Sequence, residues 1–281
     1  MTGSIARFFD ETAEHYDVLE PWYEHLQARL AHIVGATLDR VPEPGRPGRP
    51  PRALDAGCGT GFPAVHLAAL GYAVHGVDLA IRLLAIARGA GRLRAMAVGD
   101  VRALPYPEAA FEVVTCCGST LSFVPDPATA LRELARVLVP GGRLLIEVEH
   151  RWSLDLGWAL LSALLRDPLG YGLSWREALA PVVEPRDTAC WLRYPGYPPL
   201  RLFTRAELDR LLRAAGLEPV RWWGIHTVTN LIPSTVLHRP RLPPLLGALY
   251  RGLCALDRRL SPRRAGRGLA NSLVVLATRG N

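Results

Sequence analysis

The sequence predicts an α/β fold built on a mostly parallel sheet with helices on both faces. Three observations carry that expectation. Apolar runs of strand length alternate with segments of helical periodicity, the pattern of strands joined by crossover helices. Several of these runs end in acids, glycines or small polar residues, as strands do where they deliver a ligand rim. The first run, Leu54-Asp55-Ala56, opens into Gly57-Cys58-Gly59-Thr60-Gly61. Three alternating glycines at a strand-to-helix turn let the backbone take positive φ and approach a ligand closely.

Each element follows from local pattern. Residues 4–40 have helical periodicity broken at Pro21, so two helices precede the sheet and can lie across its ligand rim. Residues 42–51, rich in Pro, Gly and Arg, predict an irregular linker. Strands are expected near 52–57, 73–77, 93–98, 111–117 and 143–149, with helices near 62–70, 80–88 and 127–138. Pro140-Gly141-Gly142 ends the third of these helices and turns the chain into the fifth strand. Residues 151–203, rich in Trp, Tyr, Leu and Pro, form an insertion with no counterpart in a minimal core. Thr204 then caps a helix, with Glu207 at capping-box spacing and Gly216 as its stop. Strands at 217–225 and 271–277 complete the sheet, and 243–260 reads as a helix with leucines on one side and arginines on others.

Ligands in open α/β sheets bind outside the carboxyl ends of the strands, where strand order reverses. That rule gathers Gly57, Gly59 and Gly61 with Asp78, Asp100-Val101 and Cys117-Gly118, the ends of four successive strands. Asp78 is the candidate for holding ribose hydroxyls. A dinucleotide fingerprint would place Gly or Ala at position 62, and Phe62 stands there, which argues against a nicotinamide oxidoreductase.

The motifs LDAGCGTG, GVDLA, VGDVRALPYPEAAFEVV and RVLVPGGRLLIEVE, in this order and spacing, resemble those of class I S-adenosylmethionine-dependent methyltransferases. The resemblance is to the methyltransferase type 11-like, small-molecule branch. It covers residues 50–150 by motif and 204–279 by architecture. The segment FEVVTCCGSTLSFV is similar to the matching segment of glycine N-methyltransferases and other small-molecule methyltransferases. The resemblance implies a Rossmann-like seven-stranded sheet whose last strand is antiparallel, and S-adenosylmethionine as cofactor. It implies that the glycine turn holds the methionine and ribose parts, with Asp55 toward the methionyl end. Asp78 would meet the ribose, with Leu79 beside it among the cofactor-binding residues, Asp100 and Val101 would meet the adenine, and Cys117 and Gly118 would border the sulfonium through their backbone. Tyr16 resembles the tyrosine that many relatives place over the cofactor.

A proton acceptor is not identified by any motif. Glu149 and His150, at the end of the fifth strand, are candidates for this role, though strand-end polar residues often only face water. Cys116 and Cys117 lack the flanking proline of cytosine methyltransferases, and Gly118-Ser119-Thr120 departs from the pattern of adenine amino methyltransferases. The expected reaction is methyl transfer to an O, N or C atom of a small molecule, with a hydrophobic acceptor admitted. An RNA or protein methyltransferase and a noncatalytic S-adenosylmethionine-binding protein are the alternatives.

Composition sets the outer bounds. The chain has 281 residues, is 49% hydrophobic and carries a net charge of +7. Every basic residue apart from histidine is arginine, the sequence containing no lysine, and no RNA-binding module accompanies the charge, so nucleic acid is a disfavoured partner. Five cysteines without a C-x-x-C pair suggest reduced core thiols and no metal. The amino terminus lacks the apolar stretch of a signal peptide, and no run of about 18 apolar residues is present, so a cytoplasmic protein without integral membrane segments is expected. Peripheral membrane contact through 243–260 and the oligomeric state stay open. The expected organisation is one domain over 1–281. It comprises a helical lid at 1–41, a cofactor core at 52–150 and an insertion at 151–203 serving as substrate cap. The remainder, 204–281, completes the sheet and holds a second helical insertion at 227–268. The aromatics Trp152, Trp158, Tyr171, Trp175, Trp191, Tyr194 and Tyr197 of the first insertion either wall off an acceptor or pack the insertion's own core.

Overall fold

Pro21 sits at the first turn of its helix, where its missing amide and fixed φ suit the geometry. It separates α1 (Thr2–Thr12) from α2 (Pro21–Thr37), as its position in the sequence predicts. In the computed structural model, residues 2–17, 20–38, 50–185 and 188–280 are described. The predicted linker lies outside them except for its last two residues.

The alternating segment folds as β1 (Arg52–Ala56), α3 (Phe62–Ala69), β2 (Ala73–Asp78), α4 (Ile81–Gly89), β3 (Ala95–Val98), β4 (Phe111–Cys116), α5 (Pro127–Val137) and β5 (Leu138–Glu149). Asp126 caps α5 by accepting the amide of Thr129, which the prolines beside it leave available. The Pro-Gly-Gly turn is absorbed into β5 as an irregularity: Leu138 pairs with Phe111, and pairing resumes only at Arg143 with Val113. Gly141, at φ +73, makes that detour.

The insertion is more structured than its composition suggested. It contains α6 (Leu154–Leu164), α7 (Trp175–Val183) and a hairpin of β6 (Cys190–Leu192) with β7 (Leu200–Leu202). A reciprocal capping box between Ser174 and Glu177 starts α7. The box expected at α8 (Arg205–Ala214) is only half formed. Thr204 accepts the amide of Glu207, but the Glu207 carboxylate pairs with Arg201 at 2.7 Å in place of turning back. β8 (Leu217–Ile225), α9 (Ser234–Leu237), α10 (Pro244–Leu260), α11 (Arg264–Gly268) and β9 (Ser272–Arg279) complete the chain.

The main sheet has seven strands in the order β3-β2-β1-β4-β5-β9-β8. β9 is antiparallel to both neighbours, and β1 to β5 pair in parallel. Strand order reverses between β1 and β4, so their carboxyl ends flank the crevice expected to take a ligand. Alternation along the strands splits the core into two faces. Val114, Leu144 and Ile146 pack with α5 and α8 through Leu131, Leu134, Leu208 and Leu212. Val113, Leu145, Val274 and Leu276 pack with α2 and α3 through Leu26, Leu30, Ile33 and Leu67.

A third apolar cluster binds the insertion to the rim: Phe123 packs with Ala159, Tyr171, Leu173, Leu192 and Leu202, and Ile5 and Phe9 of α1 join it. Trp158 and Tyr194 also pack there, whereas Trp175 is 47% exposed, so the insertion's aromatics divide between its own core and its surface. Among the described residues, no helix is long and apolar enough to cross a membrane.

Candidate active site

The glycine turn is held from three sides. The amides of Gly57 and Cys58 donate to the carbonyl of Val77, at 2.7 and 3.1 Å, which ties the end of β1 to β2. Gly57 has φ +75, and a Cβ there would fall 2.3 Å from the side chain of Thr120, so the approach of the loop after β4 demands glycine. Gly59, at φ +51, lies beneath the ring of Tyr16, which a Cβ would approach to 3.3 Å. Thr60 donates to Asp17 at 2.6 Å, and Arg92 bridges Asp17 and the Thr60 carbonyl. The segment after α1 is thereby fastened over the turn. α1 itself is tied to α4, where Asp10 accepts the amide of Arg82 at 2.8 Å.

A cavity opens at the switch point, bounded by Gly57, Asp78, Leu79, Leu83, Asp100, Val101, Gly118 and Thr120, with Ile5, Phe9, Tyr16 and Phe123 closing it from above. The expected residues Tyr16, Gly57, Asp78, Leu79, Asp100 and Val101 thus line one cavity. Asp78 accepts the amides of Gly59 and Ala80, each at 2.8 Å. Burial raises its pKa, opposed by those amides. These bonds leave acceptor capacity on a carboxylate that has about four lone-pair sites.

Asp100 is engaged differently from the expectation. Arg102 donates to both its oxygens, from Nε at 3.1 Å and from Nη2 at 2.6 Å, and its amide donates as well. These bonds hold the Asp100 carboxyl below the usual range. Arg102 also lines the cavity, and no motif pointed to it.

Asp55 and Cys117 do not line the cavity. Asp55 is fully buried under the turn and accepts the Thr115 hydroxyl at 2.8 Å, and burial pushes its pKa up to about 7. Cys117 is 3% exposed and packs on the α2–α3 face, where burial pushes its thiol well up, away from a reactive thiolate. Its neighbour Gly118, at φ +70, has nothing within 4 Å of where a Cβ would stand, and so offers bare backbone to the cavity.

Behind Gly118 lies a polar cluster that sequence reasoning only half found. Ser119, in the left-handed region at φ +58, donates its hydroxyl to Glu149 at 2.7 Å and its amide to Glu147 at 2.6 Å. Asn271 donates to the other oxygen of Glu149 at 2.8 Å. Burial and the charge of Glu147 push Glu149 up to about 8, and burial also raises Glu147. Glu147, a lone acid inside the apolar run Leu144-Leu145-Ile146, was the available signal. His150 points to the other side of the strand. Its Nδ1 lies 3.0 Å from the Ala270 carbonyl, and burial lowers it to about 4.

Comparison with known proteins identifies the domain that carries this cavity. Residues 54–146 match the family described as a methyltransferase domain. Residues 54–146 carry a methyltransferase domain of the class I S-adenosylmethionine-dependent type. A malonyl-[acyl-carrier protein] O-methyltransferase of Erwinia pyrifoliae is 35% identical over 57% of this chain and 59% of its own length. A demethylmenaquinone methyltransferase of Thermus thermophilus is 44% identical over 49% of this chain and 62% of its own. The chain therefore spans less than two thirds of either relative. The methyltransferase fold extends over the whole chain: a solved methyltransferase of Thermotoga maritima, described as a possible histamine N-methyltransferase, superposes with a TM-score of 0.58 at 22% identity, covering 99% of this chain and 100% of that one.

The methyltransferase cavity fits the cofactor of its family on two observations. Asp78 retains acceptor sites for hydroxyl donors, and the cavity also carries the apolar side chains of Leu79, Leu83 and Val101, of the kind a base would need.

Proposed function

We propose that this chain transfers the methyl group of S-adenosylmethionine to an O, N or C atom of a small hydrophobic molecule. The observation that carries the reading is Asp78, fixed by the Gly59 amide on the wall of a cavity at the strand-order reversal of a methyltransferase domain. Asp78 would hold the ribose and Leu79 and Val101 the base, while Gly118 would lie beside the sulfonium. When bound, the cofactor supplies an activated methyl group and a thioether leaving group. The chain's own contribution is then to place the acceptor in line and to exclude water.

The acceptor side of the cavity is aromatic. Phe9 and Phe123 stand edge to face at 5.3 Å, and Tyr197 packs on Phe123 at 5.9 Å and on Phe8 at 5.0 Å. α1 supplies Ile5, Ala6 and Phe9 to this wall as a lid, and the insertion contributes from behind, through Tyr197 packed on Phe123, which suits an apolar acceptor. The two relatives are named for malonyl-[acyl-carrier protein] and for demethylmenaquinone, both consistent with a non-polymeric methyl acceptor group. Of the two strand-end candidates, Glu149, behind Gly118 and bonded to Ser119, would take a proton from an acceptor through Ser119, and His150, held against Ala270, would not.

Calorimetric titration with S-adenosylmethionine and S-adenosylhomocysteine, followed by an acceptor screen for S-adenosylhomocysteine release, tests the reading. Micromolar binding with turnover supports it. Binding to neither ligand by folded, cofactor-free protein would overturn it.

A further inference from the structure

Basic side chains meet between α2 and α10, away from the cofactor cavity. His25, Arg29 and His32 of α2 line an open pocket with Arg258 and Arg259 of α10, and none of these residues lines the other cavity. Arg29 forms the floor. It is only 4% exposed, and its Nε is buried with no hydrogen-bond partner among the described residues. A guanidinium presents five donors and stays charged, so burying it without an acceptor is costly.

The carboxylate nearest to hand does not meet that demand. Asp257 is fully buried and already accepts His25 Nε2 at 3.1 Å and the amides of His226, Thr227 and Val228 at 3.2, 2.7 and 3.0 Å. It forms no ion pair with Arg29, although its charge favours the protonated guanidinium, while burial and Arg258 oppose it. Arg258 and Arg259 are exposed and make no described ion pair. Three arginines converging with no described ion pair among them repel one another, and an anion between them would relieve that repulsion.

We propose that the α2–α10 pocket binds a phosphate-class oxyanion, with Arg29 at its floor and Arg258 and Arg259 at its mouth. Planar guanidinium groups bind such oxyanions through paired charge-assisted hydrogen bonds. The oxyanion can come from a soluble phosphate ester or from a lipid headgroup. The second source is physically available because α10 also exposes Leu245 (88%), Leu249 (56%) and Leu256 (45%), spaced to fall on one side of the helix.

The test uses the full chain at constant ionic strength, with inorganic pyrophosphate and glycerol phosphate as soluble probes. Vesicles of phosphatidylcholine, with and without phosphatidic acid, probe the headgroup source. Thermal unfolding and calorimetry should show saturable stabilisation by a soluble probe, or flotation should show binding only to vesicles with phosphatidic acid. In either case the doubly substituted R258S/R259S protein should bind at least tenfold more weakly while its affinity for S-adenosylhomocysteine is unchanged. Arg29→Met should abolish binding and raise the unfolding temperature without phosphate, because an unpaired buried charge is removed. Absence of binding in both arms, or binding that persists in R258S/R259S, would overturn the site.

Discussion

The Gly59 amide donates to Asp78 Oδ2 at 2.8 Å, so the glycine turn and the acid ending β2 form one mechanical unit. Asp78 thus has two duties, bracing the turn and presenting its carboxylate to the cavity. Asp78→Ala should weaken S-adenosylhomocysteine binding by about 1–3 kcal/mol, since a charged acceptor for hydroxyl donors is lost. Calorimetry on protein that retains its circular dichroism spectrum checks this, and unchanged affinity would remove Asp78 from the site.

The Asp100–Arg102 pair makes a sharper prediction. Both Asp100 oxygens are occupied by Arg102, so a base amine can reach the carboxylate only by displacing the guanidinium. Arg102→Ala should therefore leave cofactor affinity equal or higher, and Asp100→Ala should lower it. If Arg102→Ala instead weakens binding by more than Asp100→Ala, the arginine is the contact and the acid merely orients it.

Glu149 sets the pH behaviour. Its pKa rises from the ordinary glutamate range to about 8, chiefly by burial. The folded state therefore binds a proton that the unfolded state releases, and stability falls as pH climbs from about 4.5 to about 8. Glu149→Gln should make that slope shallower, leaving the part due to Asp55 and Glu147. If Glu149 takes the acceptor's proton, turnover should rise toward pH 8 in the wild type and drop about 100-fold in the variant. Unchanged turnover would mean that in-line placement suffices.

What could be read in the chain was what is local. Gly57, Asp78 and Val101 follow from strand ends and spacing, and these three line the cavity at the switch point, whereas Gly59 and Gly61 do not. The contacts that escaped reading depend on distant partners. Ser119 and Glu149 meet only because β4 and β5 are neighbours in the sheet. Phe9, Phe123 and Tyr197 come from three segments with no shared motif. Glu207 shows the reverse case, in which correct local spacing lost to an ion pair with Arg201. Arg29 and Asp257 lie on helices whose contact no periodicity reveals.

Cys117 offers a negative test. Its thiol is buried against α2 and α3 and raised far from ionisation, so it has no part in the chemistry. Cys117→Ala should keep turnover within about threefold while lowering stability by about 1 kcal/mol from the lost packing. Inactivation by this substitution, in folded protein, would revive a covalent role.

Gly118 and Gly141 form a matched pair that separates backbone strain from a role at the cavity. They have φ +70 and +73, and neither has an atom within 4 Å of the place a Cβ would occupy. Alanine at either position should cost about 1–2 kcal/mol of stability, because a left-handed backbone brings Cβ against the carbonyl. Only Gly118 borders the cavity. Gly118→Ala should therefore also weaken S-adenosylhomocysteine binding, about tenfold or more if the bound sulfur lies beside it, whereas Gly141→Ala should bind as the wild type does. Equal affinities in the two variants, with equal losses of stability, would show that Gly118 serves only the turn and that the methyl group is presented elsewhere on the rim.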